Sequence, residues 1–184
     1  MSGIFVTAAE AQVRSGKPQP ILVAEIGAGG RAKSVSQPRI PASDRSVTRD
    51  SSYGLERQTF DLLNYERASR GMAPLSWDER VAQIARLHSR NMASDGFFSH
   101  RGSDGSTVDG RAERLGMGNW LAIAENIAFL RGYDEAAAMA VDRWLKSPNH
   151  RKNILSDGWN RSAVGIAVAA DGGLYFTQVF MRTD

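Results

Sequence analysis

The side chains that could carry chemistry in this 184-residue sequence include two histidines at breaks in the predicted secondary structure. His100 follows Phe97-Phe98-Ser99 and precedes a polar, turn-rich loop. His150 lies two residues after Pro148. Loop residues on a rigid support are frequent sites of function. His100 could still simply hydrogen-bond its own loop, and His150 could be an ordinary residue at a helix start.

Glu125 is the acidic residue most in need of a partner. Together with Asn126 it interrupts residues 121–130, which are otherwise apolar. An ionised carboxylate buried without a partner costs several kcal/mol, or its pKa rises. We therefore expect Glu125 to contact a cation, a histidine or, as the alternative, nearby backbone amides.

The third histidine, His88, has a simpler interpretation. It recurs at three- and four-residue spacing with apolar residues of a predicted helix, so it lies on the buried face of that helix. A hydrogen-bonded histidine in the core explains this position without chemistry.

The elements that must position these residues are helices followed by a hairpin. A first helix is predicted over residues 55–70. A second begins at an N-cap, Ser76, which forms a capping box with Glu79. A third follows Thr107 over residues 108–115, and a fourth runs from Asp134 to a break before Pro148. Two strands, 163–169 and 174–180, join across Asp171-Gly172-Gly173. The predicted fold class is α+β.

Composition excludes several classes of function. The chain has no cysteine, so it forms no disulfide and no thiolate metal site. Its apolar runs are too short for a transmembrane helix. The net charge of +3 arises in residues 1–52, with seven Lys/Arg against four Asp/Glu, whereas residues 53–184 have sixteen of each. A neutral domain lacks the basic surface of a nucleic-acid binder.

Residues 1–52 are predicted to be a flexible segment that precedes a domain at 53–184. They are rich in Gly, Ser, Pro and Ala, and only residues 21–24 indicate an isolated strand. Ala9-Glu10-Ala11 is a small-x-small pattern after a short apolar run, typical of the end of an export signal. An ordinary tail is the alternative interpretation.

Seven segments of the domain, in this order, resemble the bacterial SCP-like extracellular branch of the CAP superfamily, which includes cysteine-rich secretory proteins, antigen 5 and pathogenesis-related 1. The segments are L-L-N-Y-E-R (62–67), G-M-A-P-L-S-W-D (71–78), A-R-L-H-S-R-N-M (85–92), F-F-S-H (97–100), A-E-N-I-A (124–128), W-L-K-S-P-N-H-R-K-N-I-L (144–155) and Y-F-T-Q-V-F (175–180).

The resemblance implies an α-β-α sandwich with a small antiparallel sheet between helical layers. We further predict a secreted protein, located outside the cell, in the periplasm or in the cell envelope, and a monomer. It also implies a surface cleft formed by His100, Glu125 and His150. Many eukaryotic members have a further cleft glutamate shortly after the helix tryptophan, but here Leu145-Lys146-Ser147 follows Trp144. The disulfides of those members are absent too.

Three functions are compatible with such a cleft. Two neutral imidazoles, His100 and His150, are donors for zinc or copper; zinc is the expected cofactor, bound weakly because two ligands leave its shell incomplete. A hydrolase acting on peptides or cell-wall material would use Glu125 as general base with a histidine as acid, or a bound metal to activate water. The chain shows no convincing nucleophile for it. An interaction domain would bind a lipid, a sterol or another cell-envelope component. The binding module is favoured over the enzyme.

Overall fold

The computed structural model describes residues 10–13 and 49–184, with side chains from Ser52 onward. Its elements are β1 (Glu10–Val13), α1 (Arg49–Ala68), β2 (Ser76–Trp77), α2 (Glu79–Asp95), α3 (Val108–Arg114), β3 (Ala122–Leu130), α4 (Ala136–Lys146), α5 (Pro148–Ile154), β4 (Arg161–Val168) and β5 (Leu174–Arg182). Within these residues, no helix is both long enough and apolar enough to cross a membrane.

The five strands form one sheet in the order β1-β3-β5-β4-β2. All neighbouring strands are antiparallel except β2, which runs parallel to β4. The predicted hairpin of β4 and β5 is confirmed, and Gly172 adopts a φ of +81° in its turn. A positive φ is costly for any residue that carries a Cβ, which explains glycine there.

Helices cover both faces of the sheet and create two cores. On one face, α1, α4 and α5 pack around Trp144 with Phe176 and Phe180. On the other face, α2 and α3 pack around Ile84 and Ile123. Successive strand residues point to opposite faces, so the same strands supply both cores. The predicted α+β class and the helical layers around a sheet are confirmed.

The predicted start of α2 is wrong by two residues. Ser76 and Trp77 are extended because they pair with Arg161 and Ser162 of β4. The cap therefore moves to Asp78, whose Oδ1 accepts hydrogen bonds from the amides of Arg80 and Val81. A capping box is a pattern of local sequence. The start of α2 is decided instead by a strand contact with residues more than eighty positions further along the chain.

The break before Pro148 is confirmed. Ser147 is extended, with φ −90° and ψ 121°, and it is both the C-cap residue of α4 and the N-cap residue of α5. Pro148 opens α5, where its missing N–H removes no helical hydrogen bond. Asp134 was predicted to cap α4, but Glu135 occupies that position and makes no side-chain cap.

The N-terminal part of the chain adds one element that the sequence did not indicate. β1 pairs with β3 at the edge of the sheet, within the segment predicted to be flexible. The proposed isolated strand at 21–24 lies outside the described residues. The linker, the export-signal remnant and the domain boundary stay predictions.

Candidate functional site

Glu125 and Asn126 are consecutive residues of β3, so their side chains point to opposite faces of the sheet. Glu125 faces α2 and α3, and Asn126 faces α5. Both side chains are completely buried. This pair therefore contacts both helical layers, and each layer contributes one candidate histidine.

The carboxylate of Glu125 is held by a guanidinium and an imidazole. Its Oε2 accepts a hydrogen bond from Arg111 at 2.5 Å, and its Oε1 lies 2.8 Å from Nδ1 of His100. Because an ionised carboxylate can only accept, Nδ1 of His100 donates this hydrogen bond. In the neutral tautomer that keeps this proton, the lone pair lies on Nε2.

Arg111 is the residue of the site that sequence reasoning missed. It is fully buried on α3, and it also donates to the carbonyls of His100 and Ser106, at 3.2 and 3.0 Å. Arg111 thus fixes the loop that carries His100 as well as the carboxylate. One signal was available: Arg111 recurs at i+3 from Val108, on the buried side of a short helix. A cation in that position needs a buried anion.

His150 enters from α5 and is positioned through its backbone. The amide of Asn126 donates to the carbonyl of His150 at 3.2 Å, and the amide of Asn153 donates to Oδ1 of Asn126 at 3.0 Å. The imidazole itself is buried, and neither of its nitrogen atoms has a partner among the described residues. Nε2 of His100 is likewise buried and without a partner there.

Burial and charge set the protonation states. Burial raises the pKa of Glu125, but Arg111 and the two nearest histidines outweigh it and lower that pKa to about 2. Burial, and secondly the charge of His100, lowers the pKa of His150 to about 3. At neutral pH, Glu125 is therefore anionic and His150 is neutral.

His88 is the buried, hydrogen-bonded histidine that its helical spacing predicts. Its Nε2 lies 2.8 Å from the carbonyl of Ser99, in the segment that leads to His100. The same nitrogen lies 3.7 Å from Oε1 of Glu125. His88 therefore belongs to the inner wall of the site, which spacing along one helix could not reveal.

His100 and His150 as metal ligands stay a prediction. Across residues 52–184, no group of three or more His, Cys, Asp and Glu side chains is arranged to hold an ion. Both oxygens of Glu125 are occupied by Arg111 and His100. Glu125 therefore acts on a ligand only through His100.

The features of a CAP-type domain are now in place. They are two helical layers around a small sheet and an imidazole–carboxylate pair on β3, the strand next to the edge of that sheet. The family model described as "CAP: Cysteine-rich secretory protein family" matches residues 60–180. The chain belongs to this family.

Several proteins similar to this chain come from bacteria. The chain is 34% identical over 127 residues to "Uncharacterized membrane protein YlbC" of Bacillus subtilis (strain 168), covering 69% of this chain and 34% of that protein. An extracellular protein containing a SCP domain from Bacillus anthracis is 30% identical with a TM-score of 0.62, covering 80% of this chain and 45% of that one.

An outer surface protein of Borrelia burgdorferi shares the fold at 14% identity, with a TM-score of 0.62, covering 72% of this chain and 96% of that one. The chain spans only 34% and 46% of the lengths of the two Bacillus subtilis relatives that it matches. Any function of those longer proteins as a whole can therefore be only a proposal for this chain.

Proposed function

We propose that this CAP domain is an extracellular or cell-envelope binding module, whose ligand is held by Nε2 of His100 and by the imidazole of His150. The observation that carries the proposal is the set of buried ring nitrogens without partners. Buried polar atoms are nearly always hydrogen-bonded, so such a set indicates that a further group completes the site. The extracellular and outer-surface names of two structural relatives support the location.

A divalent metal such as zinc fits these residues. Neutral imidazole is a good zinc donor, and a carboxylate on the opposite ring nitrogen orients it and raises its basicity. Glu125 stands in this relation to His100. The pKa of His150, near 3, leaves its ring neutral for coordination at physiological pH. A bound zinc would supply Lewis acidity to a ligand, with water or a partner's group completing its shell.

Calorimetric titration of the protein with zinc at pH 7 tests this assignment. We expect one weak site per chain in the wild type and in Lys152→Ala, because Lys152 is an exposed residue of α5 beside His150. Binding should be lost in the His100→Ala/His150→Ala double variant. His88 remains in that variant as the last of the chain's three histidines, so unchanged binding there would refute the site.

A hydrolase is the second candidate, favoured by the Glu125–His100 pair. Glu125 as the candidate base stays a prediction, while its occupied oxygens and its pKa near 2 favour an orienting role for it. In that candidate, Nε2 of His100 would accept the proton of an attacking water. Turnover of peptide or peptidoglycan libraries that survives in His100→Ala would exclude this role.

Binding of a lipid or sterol stays a prediction. Among residues 52–184, the large apolar side chains exposed to solvent are Tyr53, Tyr65, Leu115, Leu121 and Val168. Only Leu121 adjoins β3, so the structure adds no continuous apolar surface beside the histidines. A binding assay with lipid vesicles decides this possibility independently of metal.

A further inference from the structure

The end of α4 and the whole of α5 concentrate positive charge in a domain that is otherwise neutral. Residues 143–152 contain two arginines and two lysines but no aspartate or glutamate. Arg143 and Lys146 lie in the last turn of α4, whereas Arg151 and Lys152 lie in the last turn of α5. Because α5 has seven residues, it is about 10 Å long, so the two turns lie close together.

Among the described residues, one of these four cations has an anionic partner. Nζ of Lys146 lies 2.9 Å from Oδ2 of Asp142. The side chains of Arg143 and Arg151 have no hydrogen bond or ion pair within residues 52–184, and Nε of Arg143 is buried. The helix dipole favours a cation in a last turn, which accounts for the exposed Arg151. It does not account for a buried nitrogen without a partner, because such groups are nearly always hydrogen-bonded.

Arg143 lies on the side of α4 from which α5 departs. The amide of Ser147 donates to the carbonyl of Arg143 at 3.2 Å, so these residues are one helical turn apart on the same side of α4. Ser147 is also the N-cap residue of α5, which carries His150 and Arg151. The two unpaired arginines therefore lie on either side of the junction that positions His150.

The charge and the surroundings of this surface define the chemistry of its ligand. A single exposed ion pair contributes little, so a ligand with repeated negative charges gains affinity by contacting several cations at once. Guanidinium groups match two oxygens of a phosphate through parallel N–H donors. Within residues 131–160 no large apolar side chain is exposed. The surface therefore lacks both the apolar face that inserts into a membrane and the aromatic face on which nucleic-acid bases stack.

We propose that Arg143, Lys146 and Arg151 form a binding surface for a linear phosphate polymer of the cell envelope, one that carries phosphate groups but no bases. The polymer crosses the last turns of α4 and α5, and the two arginines each hold a phosphate through paired N–H donors. Lys152 adds a further positive charge beside Arg151. Such a ligand is compatible with the location proposed above, and its binding does not depend on metal.

Titration of the full chain with linear inorganic polyphosphate, in EDTA at pH 7, tests this surface by calorimetry and amide NMR. We expect the amides of residues 143–152 to shift, and the affinity to fall with added salt because the polyanion releases counterions. Arg143→Gln/Arg151→Gln should bind at least about tenfold more weakly and with a smaller salt dependence. The matched control Arg90→Gln/Arg101→Gln removes the same charge from exposed residues elsewhere. It should stay within about twofold of the wild type, since distant exposed charges are screened.

A variant that gains affinity keeps the test independent of folding. Asp142→Asn removes the carboxylate that pairs with Lys146, so Lys146 becomes available to the polymer. We expect this variant to bind polyphosphate about two- to threefold more tightly than the wild type. An unchanged or weaker affinity would mean that Lys146 is no part of the surface, which contradicts the proposal.

Three further results would overturn the proposal. The first is equal affinity of the two double variants, and the second is binding of inorganic phosphate as tight, per phosphate, as that of the polymer. The third is tighter binding of polyglutamate, single-stranded DNA or vesicles of anionic phospholipid than of polyphosphate, because the occupant would then be of another class. None of these measurements involves zinc, so failure here is distinguishable from failure of the histidine site.

Discussion

Two buried glutamates of this domain are paired with arginine, yet their surroundings differ in one respect. Glu56 of α1 accepts hydrogen bonds from Nε and Nη2 of Arg86 and from the backbone amide of Ile166. Glu125 accepts from Arg111 and His100. No buried side-chain nitrogen or oxygen of Glu56 or Arg86 is without a hydrogen-bond partner. His100, in contrast, has a second ring nitrogen, Nε2, that has no partner among the described residues.

The comparison shows that a buried carboxylate does not by itself mark a functional site. Glu56 joins α1, α2 and the edge of β4, and its hydrogen-bonding capacity is used up in doing so. Glu125 leaves the buried nitrogens of two histidines available. A functional site is better recognised by the polar atoms that remain unsatisfied after the fold is complete.

The largest expected effect is on stability, when each arginine is removed. Arg111→Met leaves Glu125 fully buried without its cation, which should lower the free energy of unfolding by about 3–5 kcal/mol. Arg86→Met should cost less, because the side chain of Arg86 is 21% exposed and Glu56 keeps the amide of Ile166. Urea unfolding at pH 7 measures both. An equal or smaller loss in Arg111→Met would contradict the comparison.

A control separates charge from packing in that experiment. Arg111→Met/Glu125→Leu removes the cation and the anion together, so it leaves no unpaired buried charge. We expect the double variant to be more stable than Arg111→Met alone.

Acid should reduce stability through the histidine site. The pKa of His150 is lowered from 6.5 to about 3 by burial and the charge of His100. Between these values the unfolded state binds the extra proton, so stability is lost as pH falls. At pH 4.5 the loss from this group is about 2–3 kcal/mol. Below that pH, Glu125 adds to the loss because its pKa is lowered from 4.5 to about 2.

Urea unfolding in EDTA at pH 7 and pH 4.5 measures this dependence. His150→Gln removes the titrating group, so the difference between the two pH values should shrink. An unchanged difference in that variant would show that His150 does not titrate as its burial implies.

The two glutamates should also differ in their effect on zinc. Glu125→Gln weakens the acceptor that orients His100, and loss of such a supporting group typically reduces metal affinity about 10- to 100-fold. Glu56→Gln changes a carboxylate of the other cluster and should leave zinc affinity unaltered. Calorimetry on both variants compares them directly. Equal affinities would remove Glu125 from the proposed site.

The smallest expected effect is at the surface end of the Arg86 cluster. Glu79 also pairs with Arg86, but the side chain of Glu79 is 55% exposed. Exposed ion pairs contribute about 0–1 kcal/mol. We expect Glu79→Gln to change the free energy of unfolding by less than about 0.5 kcal/mol, as measured by urea unfolding. A larger loss would mean that Glu56 depends on Glu79 to hold Arg86.

The sequence by itself determined the family, the α+β class, the hairpin and the break at Pro148. These features rest on periodicity, glycine and proline geometry and ordered motifs, all of which are local properties of the chain. It also identified Glu125 as a candidate, because an acidic residue in an apolar run needs a partner wherever the chain places it. His100 and His150 became candidates through their positions at breaks in the predicted elements and through the family resemblance.

Only the tertiary structure decided which partners these residues have. Arg111 meets Glu125 because α3 lies over β3, and His88 meets it because α2 packs on the same face. Ser76 becomes part of a strand because β4 lies beside it, and β1 occupies the edge next to Glu125. Each of these outcomes depends on contacts between residues far apart in sequence, and local patterns carry no information about such distances.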